Sequence, residues 1–381
     1  MSMDRWFGSL VNHDIFALLC FVATLLAAQE VKGNALGDVF EKKVGFKQRN
    51  QNRRCDFSQG SWVKDDSYPL YNEKSCPFIG FNCLNNGRPD KDYLQYRWKP
   101  NGCDLPRFDG RDFLERYRGK KIMFVGDSLS NNMWQSLTCM LYMATPHSNY
   151  TLSTTKLLSE FSLPDYGLSV MFLKNGFLVD MVYEKDMGKV LKLDSISSAK
   201  QWIGVDMLIF NTFHWWTHSG RSKTWDYFQV GNKVVKEMDR MLAFRTALTT
   251  WAKWVNSNID PSKTIVFYQG VSAVHQNGTE WNDPKAKNCN GQTQPVMGSK
   301  YPGTTSHPGE EIVKSVLSSL RDQAYLLDIT LLTQLRKDGH PSIYATKDRA
   351  FVDCSHWCLP GVPDTWNEIL YAVLLNSNIL L

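Results

Sequence analysis

At its most informative point the chain reads Lys121-Ile122-Met123-Phe124-Val125-Gly126-Asp127-Ser128-Leu129-Ser130. Four apolar residues run directly into Gly-Asp-Ser, and a short apolar run of this kind is typical of a buried strand. Apolar residues at helical spacing follow between Leu129 and Met143. We therefore expect Ser128 on a tight turn from a strand into a helix, at the edge where open α/β sheets bind their ligands.

The chemistry of this turn depends on Gly126 and on the first turn of the predicted helix. Gly126 allows a sharp turn because it lacks a Cβ atom. The amides of a first helical turn have no helical partners and stabilise negative charge. We interpret Ser128 as a candidate nucleophile, with Gly126 and Asp127 beside the oxyanion that it generates. The alternative is that Ser128 only caps the helix.

A second candidate group lies far downstream, in the run Asp353-Cys354-Ser355-His356-Trp357-Cys358. A serine hydroxyl needs a base, and a neutral imidazole held in one tautomer by a carboxylate performs that role well. Asp353 and His356 are three residues apart, so one loop can supply the pair. Together with Ser128 they predict a Ser-His-Asp triad, which is recognised by roles and not by chain order.

Three motifs resemble the plant trichome birefringence-like family, a group of GDSL/SGNH-type enzymes within the PC-esterase superfamily. They are Gly126-Asp127-Ser128, Asn211-Thr212-Phe213-His214-Trp215-Trp216, and the run from Asp353 to Glu368. The resemblance extends over almost the whole chain, from about Arg54 to Leu375. Asn131 and Phe213 depart from it, because many members have Arg and Gly there. Both departures bear on substrate binding and neither touches the triad.

The resemblance implies an α/β fold, namely an SGNH-like three-layer α/β/α sandwich with a mostly parallel sheet. It also implies O-acetyl chemistry on plant cell-wall polysaccharides. Carried over by position, Ser128 is the nucleophile, His356 the base and Asp353 the group that orients the base.

Asn211 ends a second apolar run, Val205 to Phe210. In SGNH-type enzymes such an Asn helps to hold the oxyanion, and one donor of that kind contributes about 2.7–4 kcal/mol. The alternative is a strand-end Asn that satisfies a turn. His214, Trp215 and Trp216 follow directly, so we expect them to line the same cleft and to contact sugar.

Strands alternate with helices along the rest of the chain, which also favours a mostly parallel sheet covered on both faces. Residues 168–172 and 177–182 predict a hairpin, and residues 232–256 predict one amphipathic helix. His275 is expected in a solvent-facing loop. His340 is a second candidate base, with only Asp338 as a nearby carboxylate.

Composition divides the chain into four predicted parts. Residues 1–30 contain an uncharged apolar run that is shorter than the roughly 20 residues of a membrane span, and they predict a signal peptide or a signal anchor. Residues 31–53 form a basic, flexible stem. Residues 54–112 form a loop-rich lobe with many cysteines and turn residues, and residues 113–381 form the catalytic domain.

Eight of the nine cysteines follow the apolar run, and an even number in a lumenal chain predicts four disulfides. Sequence alone leaves their pairing open. The family resemblance implies that the cysteines of residues 55–139 mostly pair among themselves, and that Cys354 or Cys358 reaches back to the N-terminal half. Cysteine spacing fits no metal site. Sequons at Asn149 and Asn277 are consistent with glycosylated loops.

The formal net charge of +5 is small and no basic stripe accompanies it, so we expect no nucleic-acid partner. We expect no bound cofactor, and an acetyl donor of unknown identity as co-substrate. The main predicted function is acetyl transfer onto pectin, xylan or mannan. The alternatives are an acetylesterase with the same triad and a non-catalytic protein that bridges wall polymers. The predicted location is the Golgi lumen, with a possible N-terminal membrane anchor, or the cell wall.

Overall fold

A computed structural model describes residues 55–303 and 307–376 of the chain. Its strands are β1 (Gly60–Lys64), β2 (Tyr96–Pro100), β3 (Lys121–Gly126), β4 (Thr151–Thr154), β5 (Leu158–Leu163), β6 (Leu168–Lys174), β7 (Asp180–Glu184), β8 (Gly188–Lys192), β9 (Met207–Phe210), β10 (Tyr227–Val230), β11 (Lys233–Val235), β12 (Ile265–Gln269) and β13 (Tyr325–Leu327). Its α-helices are α1 (Gly110–Arg116), α2 (Ser128–Ala144), α3 (Arg240–Asn258), α4 (Pro308–Leu317), α5 (Thr330–Gln334) and α6 (Val362–Asn376).

The largest sheet has seven strands in the order β13-β12-β9-β3-β6-β5-β4. The neighbours from β13 to β6 pair in parallel, and only β5 and β4 extend the edge in antiparallel pairing. The strand that leads to Ser128, β3, lies at the centre. The prediction of a mostly parallel sheet is therefore confirmed.

Side chains of β3 alternate between the two faces of this sheet. Ile122 and Phe124 pack in one apolar cluster with residues of α2 and α6, whereas Met123 and Val125 pack in a second cluster with residues of α3 and α4. A strand buried on both faces is typical of a parallel sheet between helical layers. The predicted three-layer α/β/α arrangement is confirmed.

The predicted hairpin of residues 168–182 is wrong. β6 pairs with β3 and β5 in the large sheet, whereas β7 pairs with β8 in a separate sheet of four strands. The amide of Asn175 donates to the carbonyl of Gly126, 2.8 Å away, and so continues the pairing of β6 with β3 past the last residue of the strand. A turn does follow β6, at residues 176–177. The buried strand β6, however, pairs with β3 and β5 of the large sheet and not with β7.

The predicted helix of residues 232–256 begins later than expected. Residues 233–235 form β11, paired with β10, and α3 starts at Arg240. The carboxylate of Asp239 accepts a hydrogen bond from the amide of Leu242 at 2.8 Å and so caps the helix. The valines before this cap follow the preference of β-branched residues for strands.

The cysteine-rich segment packs on the α/β layers as part of one compact unit, Asp56–Leu381. Among its described residues, the only strands are β1 and β2, an antiparallel pair. Trp62 of β1 donates through Nε1 to the carbonyl of Leu332 at 2.8 Å. The predicted leader and stem, residues 1–30 and 31–53, lie outside the described residues. Within the described residues, no helix has the length and apolarity that a membrane crossing requires.

Candidate active site

Ser128 is the first residue of α2, and only Asp127 separates it from the end of β3. Asp127 caps this helix, since its Oδ1 accepts from the amide of Leu129 at 2.9 Å. A Cβ atom on Gly126 would lie 2.3 Å from both the carbonyl oxygen of Asn211 and the hydroxyl of Ser130. Only glycine therefore allows β3 and β9 to end side by side beneath the serine.

The three predicted triad residues meet in the structure. His356 Nε2 lies 2.7 Å from Ser128 Oγ, and His356 Nδ1 lies 2.7 Å from Asp353 Oδ2. An ionised carboxylate can only accept a hydrogen bond, so Nδ1 carries the proton of the neutral ring. That leaves Nε2 as the acceptor for the serine hydroxyl, which is the arrangement that activates a serine nucleophile.

Asp353 is held in its charged form by donors on its own loop. Its Oδ1 accepts from the amides of Ser355 and His356 at 3.0 and 3.1 Å. Burial acts to raise the pKa of Asp353, but the hydrogen bonds from His356 and from these amides outweigh it and hold that pKa well below its usual value. The carboxylate is therefore available to orient the imidazole.

Two disulfides hold the segment that carries His356. Cys354 bonds Cys289, and Cys358 bonds Cys83 in the N-terminal lobe, so the expectation that one of these two cysteines reaches back is confirmed. Eight cysteines are disulfide-bonded. A further disulfide joins Cys76 and Cys139, which both lie within residues 55–139.

The N-terminal lobe also contacts the candidate base directly. The ring of Phe81 stacks on that of His356, with centroids 5.0 Å apart and planes inclined by 21°. The amide of Leu359 donates to the carbonyl of Phe81 at 2.9 Å. One face of the imidazole is therefore covered by an aromatic side chain, a contact that the sequence did not indicate.

Asn132 is a second residue that sequence reasoning missed. It lies on α2, one turn after Ser128, and is fully buried. Its Nδ2 donates to the carbonyl of Trp357 and its Oδ1 accepts from the amide of Trp357, both at 3.1 Å. The available signal was an asparagine among the apolar residues Leu129, Met133 and Trp134 of the predicted helix, because a buried amide needs a hydrogen-bond partner.

Asn211 follows β9 and faces Asp127. With its amide nitrogen oriented toward the carboxylate, Asn211 donates to Asp127 Oδ1 at 2.7 Å. The same nitrogen lies 3.3 Å from Asp127 Oδ2, so the Asn211 amide is held against the carboxylate that caps α2. The side chain thus lies beside the serine turn, as the strand-end position predicted.

The three residues predicted beside Asn211 have different environments. His214 is buried, its Nε2 lies 3.1 Å from the carbonyl of Ser272, and burial lowers its pKa although Asp127 opposes the shift. Trp215 is half-buried, with its ring centroid 5.6 Å from Lys174 Nζ. Trp216 is 0% exposed, so the expectation that it contacts sugar is wrong, because its indole is packed in the core.

A cavity of about 550 Å³ opens beside the triad loop. Phe213, His214 and Ser355 are among the residues that line it. Burial lowers the pKa of both His218 and His307, which also line it. Among the described lining residues there is no lysine or arginine, and Glu280 is the only carboxylate. Its surface offers imidazole, amide and hydroxyl groups, which suit a ligand rich in hydroxyl groups.

His275 and His340 are buried beneath this site, at 0% and 1% exposure. The prediction that His275 faces solvent is wrong, because its ring is enclosed between Trp281, Tyr301 and Trp357. His340 does not contact Ser128. Its Nδ1 lies 2.7 Å from the backbone carbonyl of His356, so it contacts the candidate base through the main chain.

Comparison with known proteins agrees with this geometry. A family model described as a GDSL/SGNH-like acyl-esterase family found in Pmr5 and Cas1p matches residues 105–373, and one for the PMR5 N-terminal domain matches residues 53–104. Protein trichome birefringence-like 42 of Arabidopsis thaliana is 62% identical, with 85% of this chain and 90% of the relative covered.

Two further relatives from the same plant extend the match. Protein trichome birefringence-like 43 is 53% identical, with 85% of this chain and 89% of the relative covered. Protein trichome birefringence is 43% identical, with 85% of this chain and 56% of its own length covered. The chain therefore belongs to the trichome birefringence-like family and carries its PC-esterase domain.

Proposed function

We propose that this protein transfers O-acetyl groups onto a plant cell-wall polysaccharide through an acetyl-Ser128 intermediate. The observation that supports it most directly is the position of His356, 2.7 Å from both Ser128 Oγ and Asp353 Oδ2. Membership of an acyl-esterase family supports the acyl chemistry. The polysaccharide acceptor is part of the proposal and rests on the family and on the hydroxyl-binding character of the cleft.

In the first half-reaction, His356 Nε2 takes the hydroxyl proton of Ser128 while Oγ attacks the carbonyl carbon of the acetyl donor. The negative oxygen of the tetrahedral intermediate is held by the Ser128 amide at the start of α2 and by the side-chain amide of Asn211. His356 then returns the proton to the leaving group of the donor. The bond to that group breaks, and Ser128 keeps the acetyl group.

In the second half-reaction, a polysaccharide hydroxyl enters from the cleft beside Ser355. His356 takes the proton of this hydroxyl, whose oxygen attacks the acetyl-serine carbonyl. Collapse of the second tetrahedral intermediate returns the proton to Ser128 Oγ and releases the acetylated polymer. Asp353 stabilises the imidazolium in both halves without taking its proton.

A second candidate function is hydrolysis of polysaccharide acetyl esters. The side chain of His356 keeps 25% of its surface exposed, so water can approach the base. Water in place of the sugar hydroxyl releases acetate. The two functions share every step up to acetyl-Ser128 and differ only in the acceptor.

An assay of acetyl transfer and acetate release separates these functions. The wild-type protein and Ser128→Ala are each incubated with acetylated pectin, xylan and mannan and with a small acetyl ester. Transfer requires acetyl groups to appear on an unacetylated polymer, and hydrolysis gives free acetate alone. If neither protein transfers or releases acetyl groups, the non-catalytic polymer-binding alternative is favoured, and equal activity of the two would show that Ser128 is not the nucleophile.

We propose that the protein works in the secretory lumen or the wall. Eight cysteines are disulfide-bonded, as is usual in oxidising compartments. Both sequon residues, Asn149 and Asn277, are exposed and accessible to glycosylation.

A further inference from the structure

A chain of polar contacts joins two buried histidines to the backbone of the candidate base. His275 Nε2 lies 2.8 Å from the carbonyl of Gln334. His275 Nδ1 lies 2.7 Å from His340 Nε2. His340 Nδ1 lies 2.7 Å from the carbonyl of His356. All four ring nitrogens are therefore engaged in three contacts, and a carbonyl closes each end of the chain.

The number of protons in this chain is fixed by its two ends. A carbonyl oxygen can only accept, so His275 Nε2 and His340 Nδ1 must both carry hydrogen if their contacts are hydrogen bonds. The contact between the rings requires one more hydrogen. Three ring protons are needed, whereas two neutral imidazoles have only two. The complete chain therefore carries one additional proton, shared by two rings.

We propose that His275 and His340 are positioning residues for His356, and that their chain of hydrogen bonds is complete only when the pair binds one proton jointly. This inference rests on the proposed function, because the position of His356 matters through its action on Ser128. In the neutral pair, one of the three contacts lacks its hydrogen. When the missing bond is the one to His356, the carbonyl of the base is no longer held.

The surroundings of the pair determine when this proton binds. Burial lowers the pKa of His275 to about 4. Burial, together with the neighbouring His275, holds the pKa of His340 well below its usual value. Both shifts favour the neutral pair, so we expect the additional proton to bind only in acid. The ionisable groups around it are Asp338, Lys337, Asp353, His356, Arg88, Arg336 and Tyr301.

Two features favour the protonated pair against the cost of burial. The ring of His340 stacks on Trp357 with centroids 4.0 Å apart, and an aromatic face attracts a cation. The carboxylates of Asp338 and Asp353 each act to raise the pKa of one ring. Because the second proton would place two cations 2.7 Å apart, the pair binds one proton and not two.

Labelling of Ser128 by a fluorophosphonate probe tests the positioning role without a polysaccharide. We expect His340→Leu to slow labelling by up to about 10²-fold, because displacement of a catalytic group by 1 Å has that effect. His340→Gln, which keeps a donor for the His356 carbonyl, should recover most of the rate. Substitution of the exposed His147 by glutamine is the matched control and should leave labelling unchanged. Equal rates for His340→Leu and the wild type at every pH would overturn the positioning role.

Titration of the ¹⁵N-labelled histidines in the full chain tests the proton count. We expect the two buried rings to take up one proton between them as the pH falls. We expect this proton uptake to appear as a step in the pH profile of Ser128 labelling as well. In His275→Gln, whose side-chain amide has two hydrogens, that step should be absent. Uptake of two protons, or of none before unfolding, would overturn the shared proton. If the wild type is labelled no faster than Ser128→Ala, the proposed function fails, while the titration still reports on the pair.

Discussion

The turn that carries Ser128 and the loop that carries His356 are held in place by different means. Ser128 follows a central strand and begins a helix, and its turn is fixed by the Asp127 cap and by Gly126. His356 lies in a segment without helix or strand. Two disulfides, a stacked phenylalanine and the paired hydrogen bonds of Asn132 hold that segment. The proposed nucleophile is thus positioned by local structure and the proposed base by long-range contacts.

The contrast predicts that the base is easier to displace than the nucleophile. The sharpest test of its orientation is Asp353→Asn, which keeps the shape of the side chain and removes its charge. We expect the rate of Ser128 labelling and of acetyl transfer to fall by about 10⁴-fold, because an amide no longer selects the tautomer with hydrogen on Nδ1. An unchanged melting temperature of Asp353→Asn would show that the rate falls through lost catalysis and not through unfolding. Activity within tenfold of the wild type would show that Asp353 does not orient His356.

Removal of the Cys83–Cys358 disulfide should affect the base loop more than the nucleophile. We expect the double variant Cys83→Ser/Cys358→Ser to lose about 2–5 kcal/mol of unfolding free energy and to label slowly even where it is folded. The matched control is removal of Cys76–Cys139, which joins α2 to the lobe. It should lose similar stability but label at the normal rate when folded. Equal labelling by the two double variants would remove the distinction between the regions.

A buried carboxyl beyond the loop should make stability fall as pH rises. Glu368 of α6 accepts from the Tyr68 hydroxyl at 2.7 Å, and burial raises its pKa to about 7. The folded protein therefore holds a proton that the unfolded chain has lost above its ordinary pKa of 4.5. We expect about 3 kcal/mol of stability to be lost between pH 4.5 and 7 from this group.

Glu368→Gln should remove this pH dependence of the unfolding free energy, because an amide has no proton to lose. At pH 7 its melting temperature should be higher than that of the wild type. Exposed Glu115, substituted in the same way, serves as the control for a surface carboxyl. Equilibrium unfolding in urea at several pH values provides the measurement. Parallel pH profiles for Glu368→Gln and the wild type would contradict the prediction.

The smallest expected effect is that of substituting Asn132, which joins the helix that begins at Ser128 to the loop that carries His356. Asn132→Leu removes both hydrogen bonds to the backbone of Trp357 and leaves its buried amide and carbonyl without partners. We expect a loss of about 1–3 kcal/mol in urea unfolding and a modest decrease in labelling. Asn131→Leu, at the half-buried neighbour of Asn132, is the control for the unfolding measurement. A normal labelling rate in a destabilised Asn132→Leu would mean that this contact stabilises the fold without positioning the base.

The same contrast explains what the sequence could predict. The Ser128 turn was predictable because strand, glycine and helix follow one another within about twenty residues, and the Asp353–His356 pair because its spacing is local. The contact between Ser128 and His356 was inferred from the chemistry of triads and not from the spacing of these residues in the sequence. The burial of Trp216 and His275, and the stacking of Phe81, depend on distant segments, so a single sequence does not show them.

Trapping of the covalent intermediate tests the central claim most directly. The wild-type protein is mixed with an acetyl donor, quenched in acid within one turnover and digested, and its peptides are analysed by mass spectrometry. The account predicts an acetyl group on Ser128, absent from Ser128→Ala and greatly reduced in Asp353→Asn. Acetyl transfer or acetate release at the normal rate with no acetyl group on Ser128 would contradict it.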